Sequence, residues 1–395
     1  MQENDNILNL LREEGAKASR RALRGVILQP GAIGDCVLTL PLAEFMKDCL
    51  GLGGVDILGH TEYIGILPGR TCVDGIRSID SVDLHRLFAE TNTFDLVDGD
   101  ALINVFGDYA WIVTFLGEPD SNFERNLIFT ANCSRSAEVI TLSIKPSKKS
   151  SALRRHSFGA SATHITDFYI QQFIAQSGLS LEPWLVLRSG TPYGEKTKSL
   201  IKATKADINR GRELLKAPLP AFAGKQGGYE KLVVIQPGSG GSHKCCHLDN
   251  FLVVAEELVS KNIQVIFLLG PAELERFSDA TIKKITSVVR LGTPYGAKCL
   301  TDLSLTQALE LLSCADAFLG NDSGITHLAA ALGVKTIAVF GPTNPDIYSP
   351  IGPAVTVVAS SDADFAKKPS ASLQQELLNF FDADFADFAV RKDSL

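Results

Sequence analysis

A short apolar strand that runs through a glycine turn into a helix occurs twice in this chain, about 200 residues apart. The first copy is Gly25-Val26-Ile27-Leu28-Gln29, followed by Pro30-Gly31-Ala32-Ile33-Gly34, with Asp35 opening a helix that runs to about Cys49. The second is Lys231-Leu232-Val233-Val234-Ile235, followed by Pro237-Gly238-Ser239-Gly240-Gly241 and a helix at about 249–261. Such a unit opens a Rossmann-like layer. Further strands are expected at 55–58, 75–79, 109–116 and 138–144, and again at 264–269, 316–319 and 334–340. Helical spacing separates most of them, so each sheet is expected to be parallel. A length of 395 residues exceeds what one core usually supports and favours two domains.

The expected organisation is an N-terminal extension over 1–24, a Rossmann-like domain over 25–190 and an interdomain region over 191–230 with a helix at about 197–216. A second Rossmann-like domain follows over 231–368. A helical tail over 369–395 is expected to pack back on the first domain. Ser304 and Gln307 have capping-box spacing, and Gly333 is placed to end the helix that follows Asp322.

Composition excludes several function classes. The net charge of -7 argues against a broad nucleic-acid surface. The eight cysteines are scattered and include no C-x-x-C pair, so neither a disulfide framework nor a metal site is expected. No apolar run approaches the ~18 residues that span a bilayer, and the acidic N-terminus lacks an export pattern. The chain is expected to be cytoplasmic, with any membrane association peripheral. One local exception to the acidic balance is the loop bearing Lys145, Lys148, Lys149, Arg154, Arg155 and His156. It reads either as an attractor for an anionic acceptor or as a solvated linker.

Four turns lie at the C-terminal ends of expected parallel strands, the edge where open α/β sheets bind ligands. In Gly31-Ala32-Ile33-Gly34-Asp35, Asp35 reads as an N-cap or as a base at a helix N-terminus. In Pro237 to Lys244, backbone amides, Ser239, Ser242 and the Lys244 ammonium supply the parts of a phosphate cradle, although the spacing is not that of a Walker loop. In Gly320-Asn321-Asp322-Ser323-Gly324-Ile325-Thr326-His327, a strand feeds a helix whose first amides suit a pyrophosphate; capping by Asp322 or Ser323 and a packing role for His327 are the plainer readings. Glu273, after Gly270-Pro271, and the loop Gly341-Pro342-Thr343-Asn344-Pro345 could hold ribose hydroxyls, or Glu273 could be a solvated acid. Two phosphate-type turns in one half and a carboxylate turn in the other match the needs of a sugar transferase.

Gly34-Asp35, Pro237-Gly238-Ser239-Gly240-Gly241-Ser242-His243-Lys244 and the stretch from Gly320 through His327 to Gly333 resemble the lipopolysaccharide heptosyltransferases, glycosyltransferase family 9. The resemblance covers roughly 25–360 and is strongest in the second half. It implies an α/β protein of the GT-B type, two Rossmann-like domains facing across a cleft. It also implies inverting transfer of heptose from ADP-heptose to the lipopolysaccharide inner core, with no metal and no cofactor beyond the nucleotide-sugar substrate. The partners it implies are that donor and a lipid-linked glycan acceptor at the inner membrane surface.

By position the resemblance makes Asp35 the base and Lys244 the phosphate ligand. It places Ser239, Gly240, Ser242, Glu273, Asp322, Ser323, Gly324 and His327 around the donor. Cys246 stands where the family usually has Trp, so that wall must be built differently. Two other readings share the layout: a nucleotide-sugar epimerase, and a nucleotide-sugar-binding protein without catalysis.

Overall fold

Two units divide the chain, Met1–Glu195 and Lys196–Leu395. The computed structural model describes residues 23–145, 163–178, 198–216, 231–292, 295–362 and 364–385. The basic loop, apart from Lys145, lies outside the described residues, as does the N-terminal extension up to 22.

The first unit carries five parallel strands: β1 (Arg24–Gln29), β2 (Gly54–Gly59), β3 (Gly75–Ser78), β4 (Tyr109–Thr114) and β5 (Glu138–Thr141). Their order is β3-β2-β1-β4-β5. The second unit carries six: β6 (Leu232–Gln236), β7 (Gln264–Leu269), β8 (Ala297–Thr301), β9 (Ala317–Asn321), β10 (Lys335–Phe340) and β11 (Val355–Ala359), in the order β11-β10-β9-β6-β7-β8. These are also parallel. In each sheet the chain winds outward from its first strand and then returns to that strand's other side. The reversal falls between β1 and β4 in one sheet and between β6 and β9 in the other. Ligands of doubly wound sheets bind beyond the strand C-termini at such a switch point.

The central strands β6 and β7 are buried along their whole length, because helices cover both faces of a parallel sheet. Their Val233, Ile235, Val265, Phe267 and Leu269 anchor the main core of this unit. The strands that the sequence pattern does not mark, β8 and β11, are the two sheet edges. Both are only partly buried, so neither shows the continuous apolar run that marks the inner strands.

The helices that cover the sheets and support their loops include α1 (Ile33–Cys49), α2 (Asn122–Asn132), α3 (Ile165–Ser177), α4 (Lys205–Lys216), α5 (Leu248–Ser260), α6 (Pro271–Arg276), α7 (Leu305–Leu312), α8 (Gly324–Ala331) and α9 (Ala371–Phe385). In the first unit, α3 packs on α1 through the edge-on contact of Phe45 and Phe173, and α2 buries Phe123 and Leu127 against the other face of the sheet. Helix α7 starts with the expected reciprocal cap: Gln307 N–H donates to Ser304 Oγ, and Ser304 N–H to Gln307 Oε1 at 2.9 Å. Helix α8 ends as expected ahead of Gly333, whose φ of 82° suits glycine.

Three expectations need correction. Helix α4 begins at Lys205 rather than near 197, because Thr204 and Asp207 cap it reciprocally; Thr204 N–H donates to Asp207 Oδ2 at 2.8 Å, and Asp207 N–H to Thr204 Oγ1 at 3.1 Å. The interdomain stretch is partly structural: α4 packs on α7 of the second unit, and Arg210 bridges Asp207 and Glu310. The described part of the tail helix α9 packs on α5 of its own unit, where Leu373, Leu377 and Phe381 complete the core. Its apolar face is filled there.

The α4–α7 contact is close enough to be tested. A β-carbon at Gly211 would collide with the Glu310 carbonyl and press on Cys314. Gly211→Ala is expected to destabilise the second unit by roughly 2–3 kcal/mol through overpacking, despite the better helix propensity of alanine. Chemical denaturation of the wild type and the variant checks this.

Candidate functional site

In the second unit the switch point is built from two loops tied to each other. Each inner strand ends in a polar residue, Gln236 on β6 and Asn321 on β9, and both side chains are buried. Asn321 donates to the Pro237 carbonyl at 2.7 Å and accepts from the Cys246 amide at 3.0 Å. Gln236 accepts from Ser323 Oγ at 2.7 Å and donates to Glu273 at 3.2 Å. Buried amide side chains that use both ends in this way fix the register of the loops they join.

Ser323, and not Asp322, caps α8: its Oγ accepts from the Thr326 amide at 3.2 Å. Asp322 is thereby left to face the other loop. Lys244 Nζ reaches Asp322 Oδ2 at 2.7 Å, and Thr343 Oγ1 donates to the same oxygen at 2.8 Å. His327 Nε2 stands 3.8 Å from Oδ1. Ser239 Oγ donates to the Asp322 carbonyl at 2.6 Å. Burial alone would raise the Asp322 carboxyl, but His327 and Lys244 outweigh it and hold the group at about 2. The pair keeps the Lys244 ammonium, which is about one-third exposed, in a fixed position. His327 is buried, and its Nδ1 has no hydrogen-bond partner among the described residues. An orphaned buried nitrogen is uncommon and calls for a partner.

Of the residues singled out in the sequence, Ser239, Lys244, Asp322, Ser323 and His327 converge here. Glu273 is not the solvated acid of the plainer reading. It is 2% exposed, accepts from the Gly270 amide at 2.8 Å, and is pressed under Gly238, where a β-carbon would meet its carboxylate. Gly240 and Ser242 lie on the exposed rim, and Gly324 is partly buried at the start of α8. The amides of Gly240, Gly241, Ser242 and His243 donate to no group among the described residues, and neither do those of Gly324 and Ile325. Cys246 is buried behind the loop, and burial pushes its thiol up to about 12, so it acts as packing and not as a nucleophile.

Three residues of this arrangement carry little signal in the sequence. Gln236 and Asn321 are visible there only as polar residues ending apolar strands. Thr343 lies in the loop 341–345, but nothing in its spacing favours the hydroxyl over its neighbours.

In the first unit, helix α1 begins at Ile33 with Ala32 as N-cap. Asp35 is therefore the third helical residue and not the cap itself. Its Oδ2 accepts the Ala32 amide at 3.1 Å, and no hydrogen bond reaches Oδ1 among the described residues. Gln29 braces the turn: its Oε1 accepts the Gly31 amide at 2.9 Å and its Nε2 donates to Thr39. A β-carbon at Gly31 would overlap the Asp35 side chain, so glycine there is a condition for the carboxylate's position. The turn follows β1, beside this sheet's own switch point.

Two parallel α/β units, each with a polar turn at its switch point, define a two-domain Rossmann-like protein of the GT-B class. Residues 197–377, within the second unit, match the family model of glycosyltransferase family 9 (heptosyltransferase). It is 29% identical over 112 residues to lipopolysaccharide heptosyltransferase 2 of Escherichia coli K12, covering 28% of this chain and 30% of the relative. It is 33% identical over 118 residues to lipooligosaccharide heptosyltransferase 2 of Haemophilus influenzae, covering 30% and 33%. The chain thus spans about a third of the length of the curated relatives it matches. The fold extends further. A glycosyltransferase family 9 protein of Veillonella parvula superposes with a TM-score of 0.62 at 16% identity, covering 91% of this chain and 96% of the other. The E. coli ADP-heptose lipopolysaccharide heptosyltransferase II gives 0.62 at 15% identity, covering 93% and 100%. Among the described residues no helix is long and apolar enough to cross a membrane.

Proposed function

We propose that this protein is an inverting glycosyltransferase that moves heptose from ADP-heptose to a lipopolysaccharide core acceptor. The observation that carries the reading is the switch-point cluster of the second unit. A fixed ammonium, Lys244, stands with unpartnered loop amides and the first turn of α8. Those are the groups that bind and stabilise a diphosphate. The activities of the relatives supply the nucleotide and the sugar.

In this reading the acceptor hydroxyl lies against Asp35, whose free Oδ1 takes its proton as the oxygen attacks the anomeric carbon. The bond to the diphosphate breaks with inversion. Lys244, the loop amides and the amides opening α8 take up the charge that develops on the leaving group. Asp322 holds Lys244 in place, and the orphaned Nδ1 of His327 is offered to the donor. Glu273 supports the nucleoside side of the loop from beneath Gly238. The acceptor is a lipid-linked glycan met at the cytoplasmic face of the inner membrane, and the residues 145–156 attract its anionic groups.

The test is incubation of the purified protein with ADP-heptose and a heptose-deficient lipid core acceptor, followed by mass spectrometry. The expected product carries one added heptosyl residue and appears only when the acceptor is present. Conversion of the donor sugar without acceptor would instead identify an epimerase. Donor binding with no turnover on any acceptor would leave a binding protein.

A further inference from the structure

We propose that Arg276 is a positioning residue that turns the donor loop's amides outward; the inference rests on the donor reading of residues 239–244. Helix α6 is six residues long and carries two side chains on one face, Glu273 and Arg276, three positions apart. Glu273 fills the space under Gly238. Arg276 reaches past it with both ends of its fork. Its Nη1 donates to the Ser239 carbonyl and its Nη2 to the Gly240 carbonyl, each at 2.8 Å.

Peptide geometry extends the effect of this clamp to the opposite side of the loop. Each peptide unit is planar and trans, so the N–H that shares a plane with a carbonyl points the other way. No cis bond occurs among the described residues. Holding the carbonyls of Ser239 and Gly240 on the Arg276 side therefore directs the amides of Gly240 and Gly241 away from it. Those two amides have no partner among the described residues. Without the clamp the two peptide planes could rotate and present carbonyl oxygens, which repel an anion.

Gly240 adds an independent sign that a ligand approaches from that side. Its φ is not positive, and a β-carbon built there would meet nothing within 4 Å. Neither backbone conformation nor crowding inside the chain requires glycine at this position. A close approach from outside would.

The fork also explains the residue type. A guanidinium spans two adjacent carbonyls with fixed geometry, whereas an ammonium is a point charge that serves one well. Charge and clamp can therefore be separated by experiment. ADP is titrated calorimetrically into the full-length wild type, Arg276→Ala and Arg276→Lys, with a thermal melt of each. Arg276 is exposed, so the melts are expected to agree within a few degrees. Both variants are expected to bind ADP about tenfold or more weakly, equivalent to one or two lost amide contacts. Gly240→Ala is expected to weaken ADP binding with an unchanged melt. Wild-type affinity in Arg276→Lys would show that charge alone matters and would overturn the positioning role, as would wild-type affinity in Arg276→Ala. Failure of the wild type itself to bind ADP would instead remove the donor reading beneath it.

Discussion

Replacing Asp35 by asparagine is expected to cut heptosyl transfer on the order of 10²- to 10⁴-fold while leaving ADP affinity unchanged. The size of the effect follows from the role. A neutral amide cannot take the acceptor proton, but its carbonyl oxygen can still accept the Ala32 amide that Asp35 Oδ2 holds at 3.1 Å. The start of α1 and the Gln29 brace therefore survive, and the change in stability should stay under about 1 kcal/mol. The substitution thus separates chemistry from folding. Steady-state transfer assays at saturating donor, with calorimetry for ADP, make the comparison. Full turnover by the variant would take the base role from Asp35.

The second large effect is expected for Lys244→Ala, which acts on donor, stability and acid tolerance together. Loss of one group that stabilises a leaving diphosphate costs roughly 3–4 kcal/mol in the transition state, or about 10²- to 10³-fold in rate. The same change strips the buried Asp322 carboxylate of its nearest cation, leaving Thr343 and His327 to hold it. That is expected to cost about 1–3 kcal/mol of stability. The pH dependence follows from the position of the Asp322 carboxyl, about 2 in the folded protein against about 3.9 for an unfolded aspartate. A depressed carboxyl contributes stability that is fully present above about pH 4 and is lost as pH falls toward 2. Removing Lys244 weakens the depression, so less stability is gained at neutral pH and less is lost on acidification. Melting curves between pH 2 and 7 should accordingly be flatter for the variant than for the wild type. A variant curve parallel to the wild type would show that Lys244 does not hold the carboxyl down.

The inner strands β1, β6, β7 and β10 are legible in the chain alone because a strand buried on both faces must be apolar throughout. The edges β8 and β11 are not, since half-exposed strands have no such constraint. Helix ends are legible where a cap is local, as at Ser304 and Gln307. The start of α4 is marked by the same rule, because Thr204 and Asp207 stand three apart like Ser304 and Gln307; the helical spacing that extends back toward 197 obscures it.

The site divides in the same way. Ser239, Lys244, Asp322 and His327 lie in glycine-marked turns and can be named from them. That Asp322 is the partner of Lys244 depends on a contact 78 residues apart, which no local spacing records. Arg276 stands 36 residues from the carbonyl of Gly240 and is invisible for the same reason. The tail helix α9 shows a third limit. Its amphipathic face requires that it pack on something, but only the structure identifies α5 as the neighbour.

In the proposed function the second unit grips two phosphoryl groups through Lys244 and the turns that follow β6 and β9. The most direct test compares ADP with AMP by titration calorimetry on the intact protein. The diphosphate cradle predicts one site with ADP bound at least about tenfold more tightly than AMP, a difference that disappears in Lys244→Ala. Equal affinity for the two nucleotides, or the same preference for ADP without Lys244, would contradict it.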